Sequence, residues 1–160
     1  MGTINVWRLT ITHEPDPRPM LSRVMKSGHL AIGWGLIGSI TENKYTSPQE
    51  ISDAIRNQTE YQHLNNAWHG GNSLYHFCYN VQRDDLVILS KSGKRYLVME
   101  VKGDYKFDSN SEKPPNTGDY QHQREARVVP IDADKLWQVT GDRPITDHYE
   151  TVAKYIVDFA

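Results

Sequence analysis

The sequence is poor in the features that mark several classes of protein. It contains one cysteine, Cys78, so no disulfide can form within the chain. No apolar run approaches the roughly 20 residues that a membrane-spanning helix needs, and the first residues, Met-Gly-Thr-Ile-Asn, lack the basic and apolar pattern of a secretory signal. These absences predict a soluble, cytoplasmic protein without a membrane partner.

Charge of one sign is not in excess either. The chain has 18 Lys and Arg against 20 Asp and Glu, for a net charge of -2, so no overall field attracts a polyanion. Only residues 91–127 are basic, with eight basic side chains against six acidic ones. A solvated surface is one explanation of so small an excess. The other is a contact with a polyanion centred on this segment, which includes Lys91, Lys94, Arg95, Arg124 and Arg127.

Motifs of the common enzyme classes are missing. There is no Gly-x-Ser-x-Gly elbow, and Gly33-Trp34-Gly35 is not followed by the Lys-Ser/Thr of a phosphate-binding loop. His63, His69 and His76 are not spaced as ligands of one zinc ion. Glu100-Val101-Lys102 matches only half of a nuclease motif. The sequence therefore predicts a protein that is not an enzyme and that binds no metal or cofactor.

Four helices are indicated by caps and apolar spacing. Ser47-Pro48-Gln49-Glu50 is the strongest start, because Ser47 can cap, Pro48 fits the first turn and Glu50 completes a capping box. The other helices are one that Gly28 closes, one that starts near Asn72 or Ser73, and a closing helix from Thr146.

Five strands are expected between these helices. They cover residues 4–11, 30–34, 85–89, 96–107 and 120–131, with a turn at Ser92-Gly93 and a polar loop over 108–119. Three of them follow one another in the chain, which favours antiparallel pairing. The predicted fold is α+β: a small curved antiparallel or mixed sheet, or a pseudo-barrel, flanked by helices. With no repeat and no linker, residues 1–160 form a single domain.

Three aromatic residues lie close to glycines: Trp34, Trp68 and Tyr105. Glycine loses packing and costs backbone entropy, so it suits a ring that a ligand must approach better than a ring that only fills a core. The pattern predicts that these rings stack on a flat ligand such as an extruded base. Core packing is the alternative reading, and we adopt it for Trp7, Tyr75, Phe77 and Phe107.

Several segments, in order, resemble the EVE-like and YTH-like modules of the PUA superfamily, as found in McrB-type and Mrr-type modification-dependent restriction enzymes. The likeness spans about residues 4–131. Its most specific pieces are Ile-Gly-Trp and Glu-Val-x-Gly-Asp-Tyr. The segments are Asn5-Val6-Trp7, Ala31 to Gly35, Asn72 to Phe77, Arg83 to Val87, Glu100 to Tyr105, and Tyr120 to Arg124.

This resemblance implies a PUA-like pseudo-barrel that flips a modified base out of double-stranded DNA into an aromatic cage. Trp34 would form one wall and Tyr105 or Trp68 a second, with Asp104 or Ser39 as hydrogen-bonding partners. Two residues, His122 and Arg124, would lie near the mouth or the phosphates. Where such modules carry an acidic-aromatic pair this chain has Arg127-Val128, which assigns Arg127 to the DNA backbone.

The expected function is therefore that of a reader of methylated or hydroxymethylated cytosine, or of N6-methyladenine, which directs a nuclease or NTPase effector in restriction or defence. A methyl group adds only about 0.8 kcal/mol of burial, so polar groups must discriminate the base. Asp104, able to accept from an exocyclic amine, is the candidate. The alternatives are a reader of modified RNA with the same fold and a pocket that senses a small molecule or nucleotide.

Overall fold

A six-stranded mixed sheet forms the centre of the fold. The computed structural model describes residues 2–10, 16, 18–91, 93–108, 121–139 and 152–159. The strand order is β2-β5-β4-β3-β1-β6, where β1 pairs parallel with β3 and the other neighbours pair antiparallel. The strands are β1 (Gly2–Thr10), β2 (His29–Ile32), β3 (Leu86–Lys91), β4 (Lys94–Phe107), β5 (His122–Val129) and β6 (Val152–Phe159).

The α+β class with a small mixed sheet, predicted from the sequence, is confirmed. Because β2 and β6 are both edge strands, the described sheet is open and not closed into a barrel. The predicted hairpin is also present as β3 and β4, which pair from Leu86 with Glu100 to Lys91 with Lys94. Ser92 of the predicted turn, and residues 109–119 of the predicted polar loop, lie outside the described residues.

Helices cover both faces of the sheet. Trp7 and Leu9 of β1 join the main core, which is covered by the first three helices, whereas Val6 joins a smaller core beneath the last one. No helix in the described ranges is long and apolar enough to cross a membrane. The helices are α1 (Arg18–Ser27), α2 (Pro48–Arg56), α3 (Ala67–Tyr75), a π-helix that continues it (His76–Asn80), and α4 (Ala133–Val139).

Local sequence signals set the helix ends as expected. The Ser47 hydroxyl accepts from the Glu50 amide at 3.2 Å, and the Glu50 carboxylate accepts from the Thr46 amide at 3.0 Å. The first bond is the predicted Ser47 cap, whereas Glu50 accepts from the amide before the N-cap and not from the Ser47 amide that a capping box uses. Gly28, with φ of 69°, ends α1 in the left-handed region that favours glycine.

The predicted closing helix is wrong: Val152–Phe159 forms β6, which pairs along β1. Apolar residues at helical spacing suggested a helix, but the same segment also alternates as a strand does. Pairing with the free edge of β1 satisfies the hydrogen-bonding groups of that backbone edge, and this favours the strand over the helix. Residues 146–151, where the predicted helix begins, lie outside the described residues.

The start predicted for α3 is also wrong, because the helix begins at Ala67 and runs through Gly70 and Gly71. A Cβ on Gly70 would lie 2.7 Å from the Trp34 ring, and one on Gly71 would lie 2.0 Å from the Ser52 hydroxyl oxygen. The two glycines therefore allow α3 to pack closely on Trp34 and on α2. They do not break the helix, because this close packing offsets their low helix propensity.

A bulge interrupts β4 where it pairs with β5. Val101 pairs with Ala126 and Tyr105 with Arg124, so four steps along β4 match two steps along β5. Gly103 lies in this extra segment, where a Cβ would come within 2.8 Å of the Glu125 side chain. A bulge bends its strand and re-aims the side chains beside it. Asp104 lies in this irregular segment, and regular pairing resumes at Tyr105.

We expect Gly71→Ala to destabilise the protein by about 1–3 kcal/mol, because the added Cβ meets the Pro48 carbonyl at 2.6 Å as well as Ser52. An open helix position would instead gain about 1 kcal/mol from the same change. Urea denaturation measures the difference. Asn72→Ala in the same helix is the control and should stay within about 0.5 kcal/mol of wild type. A Gly71→Ala protein of unchanged stability would contradict the close packing of α2 and α3.

Candidate functional site

A cavity of about 360 Å³ opens where the π-helix, the bulge of β4, and β5 meet. We call it the tyrosine cavity. Its volume falls in the range of sites that hold small molecules and single residues or bases. Its lining combines two phenol rings, a thiol and three charged groups, on Tyr79, Tyr105, Cys78, Arg83, Asp104 and Arg124.

Irregular backbone surrounds this cavity. The π-helix (His76–Asn80) lies on one side and the bulge at Gly103 on another. Asp84, in the connection to β3, has φ of 73°, an uncommon conformation for a residue other than glycine. Such features cost stability and are frequent at functional sites. Because these features concentrate around the tyrosine cavity, it is the best candidate site in the part of the chain that the structure describes.

Tyr105 is fixed by a chain of directed hydrogen bonds. The Ile40 amide donates to the Tyr105 hydroxyl at 3.0 Å, and this hydroxyl lies 2.7 Å from Nδ1 of His122. Nε2 of His122 lies 3.0 Å from the Trp34 carbonyl, which can only accept. The proton of His122 is therefore on Nε2, and Nδ1 accepts from Tyr105. Burial raises the pKa of Tyr105, so its hydroxyl remains a donor.

The structure corrects the prediction that Trp34 forms an open wall. Its ring is 7% exposed and belongs to the main core. The Tyr61 ring packs edge-on at a centroid distance of 5.0 Å, and α3 approaches at Gly70. Gly33 and Gly35 flank a residue that itself has φ of 70°, so this stretch serves a strained turn above the core. Trp68 lies on α3, is 45% exposed and does not line the tyrosine cavity.

The resemblance implies that His122 and Arg124 lie near the mouth or the phosphates, but both side chains are buried, and Arg124 lines the cavity. His122 is 0% exposed and Arg124 is 3% exposed. Both alternate along β5 with the same phase as Ala126, a core residue. Arg124 donates instead to the carbonyls of Gly103 at 2.9 Å, Phe77 at 2.9 Å and Val81 at 2.7 Å.

Asp104 and Ser39 differ in their relation to the cavity. Asp104 lines it and accepts from Arg83, with an Nη2 to Oδ2 distance of 3.2 Å. The Arg83 guanidinium lowers the pKa of this exposed carboxyl, which is therefore ionised at neutral pH. Ser39 is buried behind Tyr105, where its hydroxyl lies 3.2 Å from that of Thr41 and accepts from the Glu42 amide. The predicted hydrogen-bonding role can therefore fall on Asp104 directly.

The remaining predicted DNA contacts lie on β3, β4 and β5 and do not line the cavity. Lys91 and Lys94 face each other at the hairpin end of β4, about 30 Å along the strand from Asp104. Arg95 lies 4.2 Å over the Trp137 ring and pairs with Asp134 at 3.7 Å. Arg127 pairs with Glu100 at 2.9 Å and is exposed. The contact of these four residues with phosphates stays a prediction.

Tyr79 and Arg83 are among the cavity residues that the sequence did not predict as site residues. Tyr79 falls in a segment whose apolar spacing predicts a regular α-helix. The structure has a π-helix there, which no sequence signal predicts, and Tyr79 lines the cavity from it. Arg83 precedes Asp84-Asp85 in a polar connection between two apolar elements. That pattern marks a surface turn, which is where binding residues concentrate.

The thiol of Cys78 offers a probe of the cavity, since the chain has no other cysteine. Burial raises its pKa to about 12, so at pH 8 only about one thiol in ten thousand is ionised. We expect iodoacetamide to modify the native protein at least tenfold more slowly than the unfolded protein at that pH. Mass spectrometry over time measures both rates. Equal rates would contradict the burial of this side chain.

We expect Tyr105→Phe to lower the free energy of unfolding by about 2–3 kcal/mol, because it removes the buried hydroxyl that accepts from the Ile40 amide and donates to Nδ1 of His122. Tyr61→Phe is the matched control. The Tyr61 hydroxyl accepts a hydrogen bond from the Leu36 amide at 3.1 Å, and this bond is exposed to solvent. That change should cost about 1 kcal/mol or less. Urea denaturation of both variants compares them, and equal losses would contradict the directed chain through His122.

Comparison with known proteins identifies the family to which this chain belongs. No curated protein matches the chain. One family model, described as a domain of unknown function, DUF8426, matches residues 7–132. The matched segment runs from β1 to the residue before α4 and includes every residue that lines the tyrosine cavity. Because the match covers well over half of its length, this chain belongs to the DUF8426 family.

Proposed function

We propose that this chain is a reader of modified bases in double-stranded DNA. It binds a single modified base, rotated out of the duplex, in the tyrosine cavity. The observation that supports this most is the lining itself, where two phenol rings stand beside an ionised carboxylate and a buried guanidinium. Flat aromatic surfaces combined with a few polar groups are what a nucleobase requires of its site.

Stacking has to offset the cost of extrusion before any preference for a mark can be seen. Extrusion of a paired base costs a few kcal/mol, and each stacked ring returns about 1–3 kcal/mol. The Tyr79 hydroxyl donates to the Tyr45 carbonyl, and the Tyr105 hydroxyl is held by its own bonds. Because both rings are fixed before the base arrives, little conformational entropy is lost on binding.

Asp104 supplies the polar discrimination. Its carboxylate accepts from the exocyclic amine of cytosine or adenine, and it repels a carbonyl oxygen in that position. Because hydrogen bonding from Arg83 holds the pKa of Asp104 below its usual value of 3.8, the acceptor is present throughout the neutral range. It is lost only as the pH falls through that lowered pKa.

The chain acts in this proposal as a recognition module and not as the enzyme. Among the residues that the structure describes, no group of three His, Cys, Asp or Glu side chains is placed to hold a metal ion. The cavity thiol is neutral, because burial raises its pKa. In this proposal, cleavage of the marked DNA belongs to a nuclease or NTPase partner in the cytoplasm.

We expect Tyr79→Leu to weaken binding of a duplex carrying one modified base roughly 5- to 150-fold, the equivalent of one lost stacking partner. Tyr79 is 39% exposed, so the fold should tolerate the change. Tyr96→Leu is the matched control, because Tyr96 is 37% exposed and lies near the far end of β4. Titration at fixed salt measures both. Equal affinities for the two variants would contradict a base in the tyrosine cavity.

The same titration separates the other candidate ligands. The panel contains duplexes with 5-methylcytosine, 5-hydroxymethylcytosine or N6-methyladenine, an unmodified duplex, modified single-stranded RNA, and the free modified nucleosides. Tightest binding to a modified duplex supports the proposal. Tighter binding to the RNA, which needs no extrusion, would make the chain an RNA reader. Equally tight binding of a free nucleoside would make it a small-molecule sensor.

A further inference from the structure

Arg124 brings a buried positive charge to the wall of the tyrosine cavity. Its acceptors in the described part of the chain are three neutral carbonyls. Asp104 and Asp85 favour its charged form only from a distance, and burial has the larger, opposing effect on its pKa. A buried charge without a counter-charge in contact is unfavourable. Such a group is expected where a ligand completes its bonding.

One nitrogen of this guanidinium is left for a ligand. Nε donates to Gly103, and Nη1 donates to both Phe77 and Val81. Within the described ranges, Nη2 donates to no protein oxygen, and it is not one of the polar atoms sealed from solvent without a partner. Because Arg124 lines the tyrosine cavity, an acceptor bound there can reach Nη2. The donor is rigid, since the other two nitrogens are held.

We infer that Nη2 of Arg124 binds the ring carbonyl oxygen of the flipped base, and that the base is therefore a modified cytosine and not N6-methyladenine. This inference rests on the function proposed above. Among base edges, arginine most often binds that of guanine, through the O6 carbonyl and N7, and adenine carries no carbonyl oxygen. Cytosine carries a carbonyl at position 2 and an amine at position 4, so it can satisfy Arg124 and Asp104 together.

The carboxylate of Asp104 argues against the other acceptors that Arg124 could bind. A phosphate in the cavity would place a second anion near this ionised carboxylate. A thymine or uracil base would bring a carbonyl in place of the amine, and two acceptors repel each other. Among the marks considered, only methylated or hydroxymethylated cytosine offers a carbonyl and an amine on one edge.

The test leaves the protein unchanged and alters the ligand. Three duplexes of one sequence carry a single central 5-methylcytosine, N6-methyladenine, or 2-amino-3-methylpyridine C-nucleoside, which keeps the amine, ring nitrogen and methyl group of 5-methylcytosine but lacks its carbonyl. We expect the 5-methylcytosine duplex to bind roughly 10- to 100-fold tighter than the other two at pH 8, as for a lost bond to a charged donor. The analogue also pairs more weakly in the duplex, which favours its extrusion and so works against this expectation.

Two variants separate specificity from affinity. Arg124→Lys, studied below its unfolding temperature, should bring the ratio between 5-methylcytosine and the carbonyl-free analogue close to one. Tyr79→Leu should weaken both duplexes and keep the ratio. If the lysine variant does not fold, the comparison of ligands on the wild-type protein decides alone. Equal binding of the three duplexes, with Tyr79 still required, would overturn this inference and leave the reader function standing. Failure to bind any duplex would overturn both.

Discussion

The three hydrogen bonds from Arg124 to backbone carbonyls hold the candidate site together. They join β5, the bulge of β4, the π-helix and the residue that follows it. None of these carbonyls belongs to a regular stretch of helix or ladder where its usual partner is assured, so each needs another donor. A guanidinium supplies several donors in one rigid plane. The irregular backbone and the Arg124 guanidinium therefore depend on each other: the carbonyls need its donors, and the guanidinium needs their acceptors.

A second chain of bonds places Tyr105 opposite this arrangement. It starts at the Ile40 amide, passes through the hydroxyl of Tyr105 and the ring of His122, and ends at the Trp34 carbonyl. The donor and the acceptor of each hydrogen bond are fixed by the next group in this chain, so the orientation of the phenol is determined. Tyr79 is held separately, by the Tyr45 carbonyl. The two rings of the tyrosine cavity thus depend on different parts of the chain, and both are fixed in the absence of a ligand.

Local signals predicted the regular elements, and contacts between distant residues decided the rest. The Ser47 cap and the glycine end of α1 depend on neighbours in sequence, and both are confirmed. The role of Gly71 depends on Ser52 in another helix, and β6 depends on the edge of β1, far away in the chain. Such partners cannot be read from one sequence. The burial of His122 and Arg124, in contrast, could have been predicted, because Ala126 marks the covered face of β5.

Trp34 explains why an aromatic residue stands between two glycines, although it is not the exposed wall that the pattern suggested. Its backbone lies in the left-handed region at φ of 70°, and its ring fills the core against Gly70. Conformations of this kind persist only where their surroundings enforce them. Packing of the indole holds the turn, the turn aims the Trp34 carbonyl at His122, and His122 orients Tyr105. The glycine-flanked tryptophan therefore does not contact the ligand itself. It fixes the position of its own backbone carbonyl, which orients His122 and through it Tyr105, the residue that a ligand in the cavity would contact.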